Sequence, residues 1–145
     1  MSSESASIRE FFDAYASATG SPDPAFLESA YAETFMFAGP GAVHVVRRDD
    51  FLRIVPKRSA AFKSAGQVGS EVTRLDETRL DEGHTLVRAY WSFRFEKPAA
   101  PPIAVPAEAT YVLRRHAESW QIIFQLDHQD LAKRVLESGI VLPTA

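Results

Sequence analysis

The sequence predicts an α+β fold, with helices in the first half of the chain and antiparallel strands in the second. Three observations carry this. Apolar residues recur at helical spacing up to about residue 65. Strict two-residue alternation takes over from about residue 84. Short turn signals, not long crossovers, separate the later segments, so the strands join as hairpins and not as a doubly wound sheet.

Ser7-Ile8-Arg9-Glu10 fits a capping box opening the first helix. Ile8, Phe11, Phe12 and Tyr15 form its apolar face, and Gly20 ends it. Ser21-Pro22-Asp23-Pro24 signals a second start, and Phe26, Leu27, Ala30 and Tyr31 give that helix its stripe. Alternation over 34–38 predicts a short strand. Gly39-Pro40-Gly41 turns it, and 43–46 returns. Asp49 or Asp50 caps a third helix that runs to about Ala65, with Phe51, Ile54, Val55, Ala61 and Phe62 inward. Pro56 predicts a kink or break near 52–55. Gly66 stops the helix.

Weak strand character over 68–80, interrupted by Gly69, leads to a hairpin turn at Asp81-Glu82-Gly83. The segment 84–96 is the strongest strand. Four prolines over 97–106 predict a stiff, irregular connection. Strands over 108–116 and 120–128 follow, divided by a turn at Ala117-Glu118-Ser119. A short helix over 129–138 closes the chain, and Gly139 ends it. The expected organisation is one domain over 1–145, with its core at about 7–130.

A chain of 145 residues, 46% of them hydrophobic, can bury a core without staples. It has no cysteine, which removes disulfides and thiol chemistry and gives secretion no support. A net charge of −3 is too small to steer a polyanion, so nucleic acid is not expected as a partner. The small, polar start lacks the pattern of a signal peptide. No apolar run is long enough for a bilayer. These points lead to an expectation of a cytoplasmic protein that engages no membrane. The four histidines and the acids have no metal-ligand spacing, so no metal is expected. No phosphate loop or nucleophile elbow is present, and no cofactor is expected.

Alternation sorts the strand residues into two faces. On the long strand, Val87, Ala89, Trp91, Phe93 and Phe95 form one set, and Arg88, Tyr90, Ser92 and Arg94 the other. On the last strand, Trp120, Ile122, Phe124, Leu126 and His128 oppose Gln121, Ile123, Gln125 and Asp127. The apolar sets are expected to face the helices. Their rings either fill a core or leave a pocket on a bent sheet. The mixed face, with Tyr90, Ile123 and the arginines, suits a dimer interface.

The α-α-β-β-α-β-β-β-β order and the Phe11-Phe12-Asp13-Ala14-Tyr15 helix resemble the NTF2-like superfamily. This group includes nuclear transport factor 2, the ketosteroid isomerases, scytalone dehydratase and the SnoaL-like polyketide cyclases. The stretch from Tyr31 to Gly41 is similar to the entry into that fold's first strand. Trp120-Gln121-Ile122-Ile123-Phe124-Gln125-Leu126-Asp127-His128 is similar to the last strand of SnoaL-like domains. The resemblance covers roughly 7–130. It implies a cystatin-like roll: a strongly curved antiparallel or mixed sheet, closed into a cone by three helices and dimerising through its outer face.

The resemblance also implies where chemistry would sit. The isomerases use a carboxylate base on the first strand and a tyrosine donor on the first helix. Here those positions fall near Ala38 and near Phe11 or Phe12, which can neither take a proton nor donate to an oxyanion. The cyclase-like polar cluster falls on Asp127-His128. Alternation turns His128 inward, as a general acid or base or as a strand-end cap, and Asp127 outward. The ligand-lining candidates are Tyr15, Phe37, Phe62, Trp91, Phe93, Tyr111, Trp120 and Phe124. Three functions are compatible with these residues: a pocket for a small hydrophobic molecule, a proton-transfer enzyme (isomerase, dehydratase or cyclase), or a dimeric interaction module with a filled core.

Overall fold

The computed structural model describes residues 3–20 and 23–140. Helix α1 spans Ser3–Gly20, α2 Pro24–Ala30, β1 Tyr31–Gly39, β2 Ala42–Arg47 and α3 Arg48–Ser64. Strands β3 (Gln67–Asp81), β4 (His84–Phe95), β5 (Ile103–His116) and β6 (Ser119–Asp127) follow, then α4 (Leu131–Glu137). The fold is α+β, with one six-stranded sheet in the order β2-β1-β6-β5-β4-β3. The sheet is mixed, because β1 runs parallel to β6 while every other pair is antiparallel. Among the described residues, no helix is long and apolar enough to cross a membrane.

Several local boundaries differ from expectation. Helix α1 already includes Ser3, so Ser7 lies within it and not at a cap. Ser21 and Pro22 fall outside the described residues. Asp23 caps α2, accepting the Phe26 N–H at 3.3 Å. Tyr31 is strand, not helix: it is the extended C-cap of α2 and the first residue of β1. Arg47, not Asp49 or Asp50, is the N-cap of α3. Both aspartates sit in its first turn, where they favour the positive end of the helix dipole. Helix α3 continues through Pro56 without a break.

The proline-rich connection is shorter than expected, because Pro106 is part of β5 and pairs with Ser92. The Pro106 carbonyl points away from β4 and accepts from Arg134 Nη1 at 2.5 Å. In a strand, the N–H and C=O of one residue point the same way. The missing N–H therefore falls on the side where β6 has ended, since β6 pairs with β5 only from Ala109 onward.

The core lies between the helices and the inner sheet face. Ile8 and Phe12 of α1, Leu27 of α2, Tyr31 of β1, Val87 of β4, Leu113 of β5 and Ile122 of β6 are all at most 2% exposed. A second apolar cluster joins Phe62, Phe95, Val105, Val135 and Ile140. The β4 faces divide as the alternation predicts, with Val87, Ala89, Trp91 and Phe95 buried and Arg88, Tyr90 and Ser92 partly exposed.

Strand β6 does not follow simple alternation. Val112 pairs with Phe124, but the next residue, Leu113, pairs with Ile122. Ile123 is thus an extra residue on β6. An extra residue inverts every side chain beyond it, because the side-chain period is two. Trp120 and Ile122 remain inward. Gln125 and Asp127 become inward, and Phe124, Leu126 and His128 become outward.

Candidate functional site

One end of the space between α3 and the sheet is open, and a cavity of about 160 Å³ occupies it. Helix α3 builds one wall. Phe51, Ile54, Val55, Arg58, Ser59 and Phe62 all line the cavity, and their spacing is that of a single helical stripe. Helix α1 adds Tyr15 and Thr19, one turn apart. The sheet adds Phe37 from β1, Trp91 and Phe93 from β4, Tyr111 from β5, and Gln125 and Asp127 from β6. Gln67 and Ser70 of β3 also border it, so five strands reach one cavity, and the bulges in β1, β3 and β6 bend the sheet around it.

Seven of the lining residues are aromatic. Trp91 and Phe93 stack with centroids 5.9 Å apart, and Tyr15 packs against Trp91 at 5.8 Å. Arg58 lies over the Phe62 ring at 5.6 Å. One hydrogen-bonded set of polar groups runs to the inner face of β6. The Tyr15 and Tyr31 hydroxyls are 2.6 Å apart, Tyr31 donates to Gln125 Oε1 at 2.8 Å, and Gln125 Nε2 donates to Asp127 Oδ1 at 3.0 Å.

Burial governs the ionisation of this group. It pushes the Tyr15 hydroxyl up to about 12, and it holds Tyr31 and Tyr111 well above the ordinary tyrosine value, so all three stay protonated. Burial also raises the Asp127 pKa, against the lowering effects of the Gln125 N–H, the Arg58 guanidinium and His128. Asp127 makes no ion pair closer than 4 Å among the described residues. A carboxylate in this setting can accept a proton from a ligand, return it, or receive a hydrogen bond.

Of the candidates from the sequence, Tyr15, Phe37, Phe62, Trp91, Phe93, Tyr111 and Asp127 line this cavity. Three candidates do not. Trp120 lies at the far end of β6, 2% exposed, with Arg115 stacked 4.6 Å over its ring. Phe124 faces outward beside Val112 and Met36. His128 faces outward too, its Nε2 lying 2.7 Å from the Thr110 hydroxyl. The cause for Phe124 and His128 is the Ile123 bulge; for Trp120 it is distance along the strand. Asp127 is inward, opposite to the expectation.

Sequence reasoning missed Arg58, Tyr31 and Gln125. Arg58 had a usable signal, since it falls at helical spacing between Phe51 and Phe62. Gln125 had none, because its face depends on the bulge. Among the described residues, no three His, Asp or Glu side chains gather where they could hold a metal ion.

The fold and cavity define a class: a curled mixed sheet closed by helices over a cavity at one end. The chain belongs to the NTF2-like protein family DUF6841, whose pattern matches residues 3–130. An NTF2-like protein of unknown function from Shewanella oneidensis has TM-score 0.69 at 16% identity, over 87% of this chain and 99% of its own. A protein of unknown function from Mycobacterium tuberculosis has TM-score 0.71 at 13% identity, over 98% and 94% of the two chains. An NTF2-like protein with a cystatin-like fold from Novosphingobium aromaticivorans has TM-score 0.69 at 17% identity, over 90% and 86%. At these identities the likeness establishes the fold alone. No curated protein matches the chain.

Proposed function

We propose that the protein binds a small, ring-bearing, mostly apolar molecule in the α3–sheet cavity and exchanges a proton with it at Asp127. The observation that carries this is Asp127 itself. It is a carboxylate held in an aromatic-lined cavity, with its pKa raised by burial and no ion-pair partner within 4 Å among the described residues. Structural carboxylates in proteins are normally paired or solvated, whereas acid–base groups are tuned by desolvation. The volume of about 160 Å³ suits one ring, with larger groups projecting through the open end. His128 has no part in this reading, because it faces the other side of the sheet.

The test is a thermal-shift screen of wild-type protein and Asp127→Asn with single-ring and fused-ring phenols, enols and ketones. Stabilisation of the wild type by some of these, with proton exchange at a ligand carbon or oxygen lost in Asp127→Asn, supports the reading. Failure of the whole panel to shift the wild type refutes it.

A second copy of the chain is proposed to cover the outer sheet face. Met36 of β1 and Val45 of β2 are paired there and are 41% and 72% exposed. They continue into outward Phe124 and Leu126 of β6. Towards β3 the same face carries the Arg88–Glu108 pair, and Tyr90 donates to Asp76 at 3.1 Å. An apolar strip flanked by mixed charges is suited to self-association. Sedimentation of wild type and Val45→Lys tests it: a dimer that becomes a monomer is expected, and a monomeric wild type rejects the interface. The absence of cysteine fits a reducing compartment, and the protein is read as cytoplasmic.

A further inference from the structure

Tyr15, Tyr31, Gln125 and Asp127 form one hydrogen-bonded chain, and its direction is fixed from the Asp127 end. An ionised carboxylate only accepts, so the Gln125 amide turns its Nε2 to Asp127 Oδ1, at 3.0 Å. That leaves Gln125 Oε1 to accept the Tyr31 proton, at 2.8 Å. A tyrosine hydroxyl has one proton. With its proton committed, Tyr31 can only accept from Tyr15, 2.6 Å away. Tyr15 therefore donates to Tyr31 and has no proton left for the cavity.

A neutral Asp127 carboxyl keeps a carbonyl oxygen that accepts the same N–H, so the order holds on protonation as long as the Gln125 amide does not turn over. The Tyr111 ring packs edge-on against Tyr15, with centroids 6.2 Å apart, and its hydroxyl favours the ionised form of Tyr15. Turned toward it, Tyr111 fills one lone pair and leaves the other.

The geometry points to Tyr15 as a specificity-determining acceptor: the cavity selects ring-bearing molecules that place a hydroxyl or N–H against Tyr15, and disfavours those that place a carbonyl or ether oxygen there. The reason is the asymmetry of buried polar groups. Two acceptors facing each other leave both unsatisfied, whereas a donor against the Tyr15 lone pair satisfies both. Tyr31 and Gln125 act through Tyr15 and are positioning residues. The inference rests on the pocket reading above.

The experiment compares 4-ethylphenol with its methyl ether, 4-ethylanisole, by chemical-shift titration against the full-length protein. Wild type is expected to bind the phenol about fivefold more tightly, the factor that one hydrogen bond supplies. In Tyr31→Phe the Tyr15 proton loses its acceptor and turns to the cavity, so the preference is expected to disappear or reverse. Gln125→Met tests the same release one link further along, in case Tyr31→Phe does not fold. Each comparison is made within one protein, so a general loss of stability cannot imitate the change of preference. Equal binding of the two compounds by wild type overturns the inference alone. So does a phenol preference unchanged in the variants, which would mean that the donor is read elsewhere, Asp127 included. Binding of neither compound by wild type overturns this inference, and the pocket reading falls with it only where the whole panel above also fails to shift the wild type.

Discussion

Asp127 and His128 are neighbours in sequence, yet they serve opposite sides of the sheet. Asp127 lines the cavity, and His128 meets the Thr110 hydroxyl on the outer face. Only one of the two can act on a molecule in the cavity, and the Ile123 bulge decides which.

Asp127→Asn is expected to stabilise the protein near neutral pH. Burial raises the folded-state pKa of Asp127 above its ordinary value of 3.8, so the ionised form is better tolerated in the unfolded chain. The penalty is therefore absent below about pH 3.8, grows as pH rises through the folded pKa, and is complete above it. The variant keeps an oxygen to accept the Gln125 N–H. Its gain is expected in the ~0.5–2 kcal/mol range common for single stabilising substitutions. Urea denaturation at pH 7 and pH 4 checks it: the advantage should be present at the first and much smaller at the second.

Arg58→Gln is expected to raise the Asp127 pKa further. The guanidinium favours the carboxylate through space, and its removal leaves desolvation less opposed. Carboxyl carbon chemical shifts followed against pH measure the midpoint. An unchanged or lowered midpoint would show that Arg58 does not hold the Asp127 pKa down.

Phe12→Ala is expected to destabilise the fold by about 3–5 kcal/mol. Phe12 is fully buried and packs on the rings of Phe11, Tyr15 and Tyr111, the last at 5.0 Å between centroids. Its loss removes support from two tyrosines of the cavity at once. Chemical denaturation should show the full effect, and ligand binding should weaken with it.

Gly66→Ala is expected to destabilise by about 2 kcal/mol. Gly66 has φ +106°, and a Cβ there would lie 2.7 Å from the Glu96 carbonyl oxygen. The Gly66 carbonyl also accepts the Glu96 N–H at 2.8 Å, which ties the end of α3 to the end of β4. A melting temperature equal to that of wild type would show that the loop relaxes without strain.

The residues themselves determined the fold class and most of the elements. Helical spacing from Ile8 to Tyr15 and from Phe51 to Phe62, and alternation from Val87 to Phe95, are local patterns imposed by burying one face. Such patterns survive whatever lies opposite. They were enough to place helices, hairpins and six aromatic residues that line the cavity. Tertiary structure decided the rest. Tyr31 leaves its helix because β6 offers it a parallel partner at Ile122. Pro106 enters a strand because β6 has already ended beside it. Asp127 and Gln125 turn inward because β6 carries one residue more than β5 can match. An extra residue leaves no mark on composition or periodicity until the partner strand fixes the register. That is why the sequence could name Asp127 and His128 as a polar pair at the strand end, while only the pairing of β5 with β6 could assign Asp127 to the cavity.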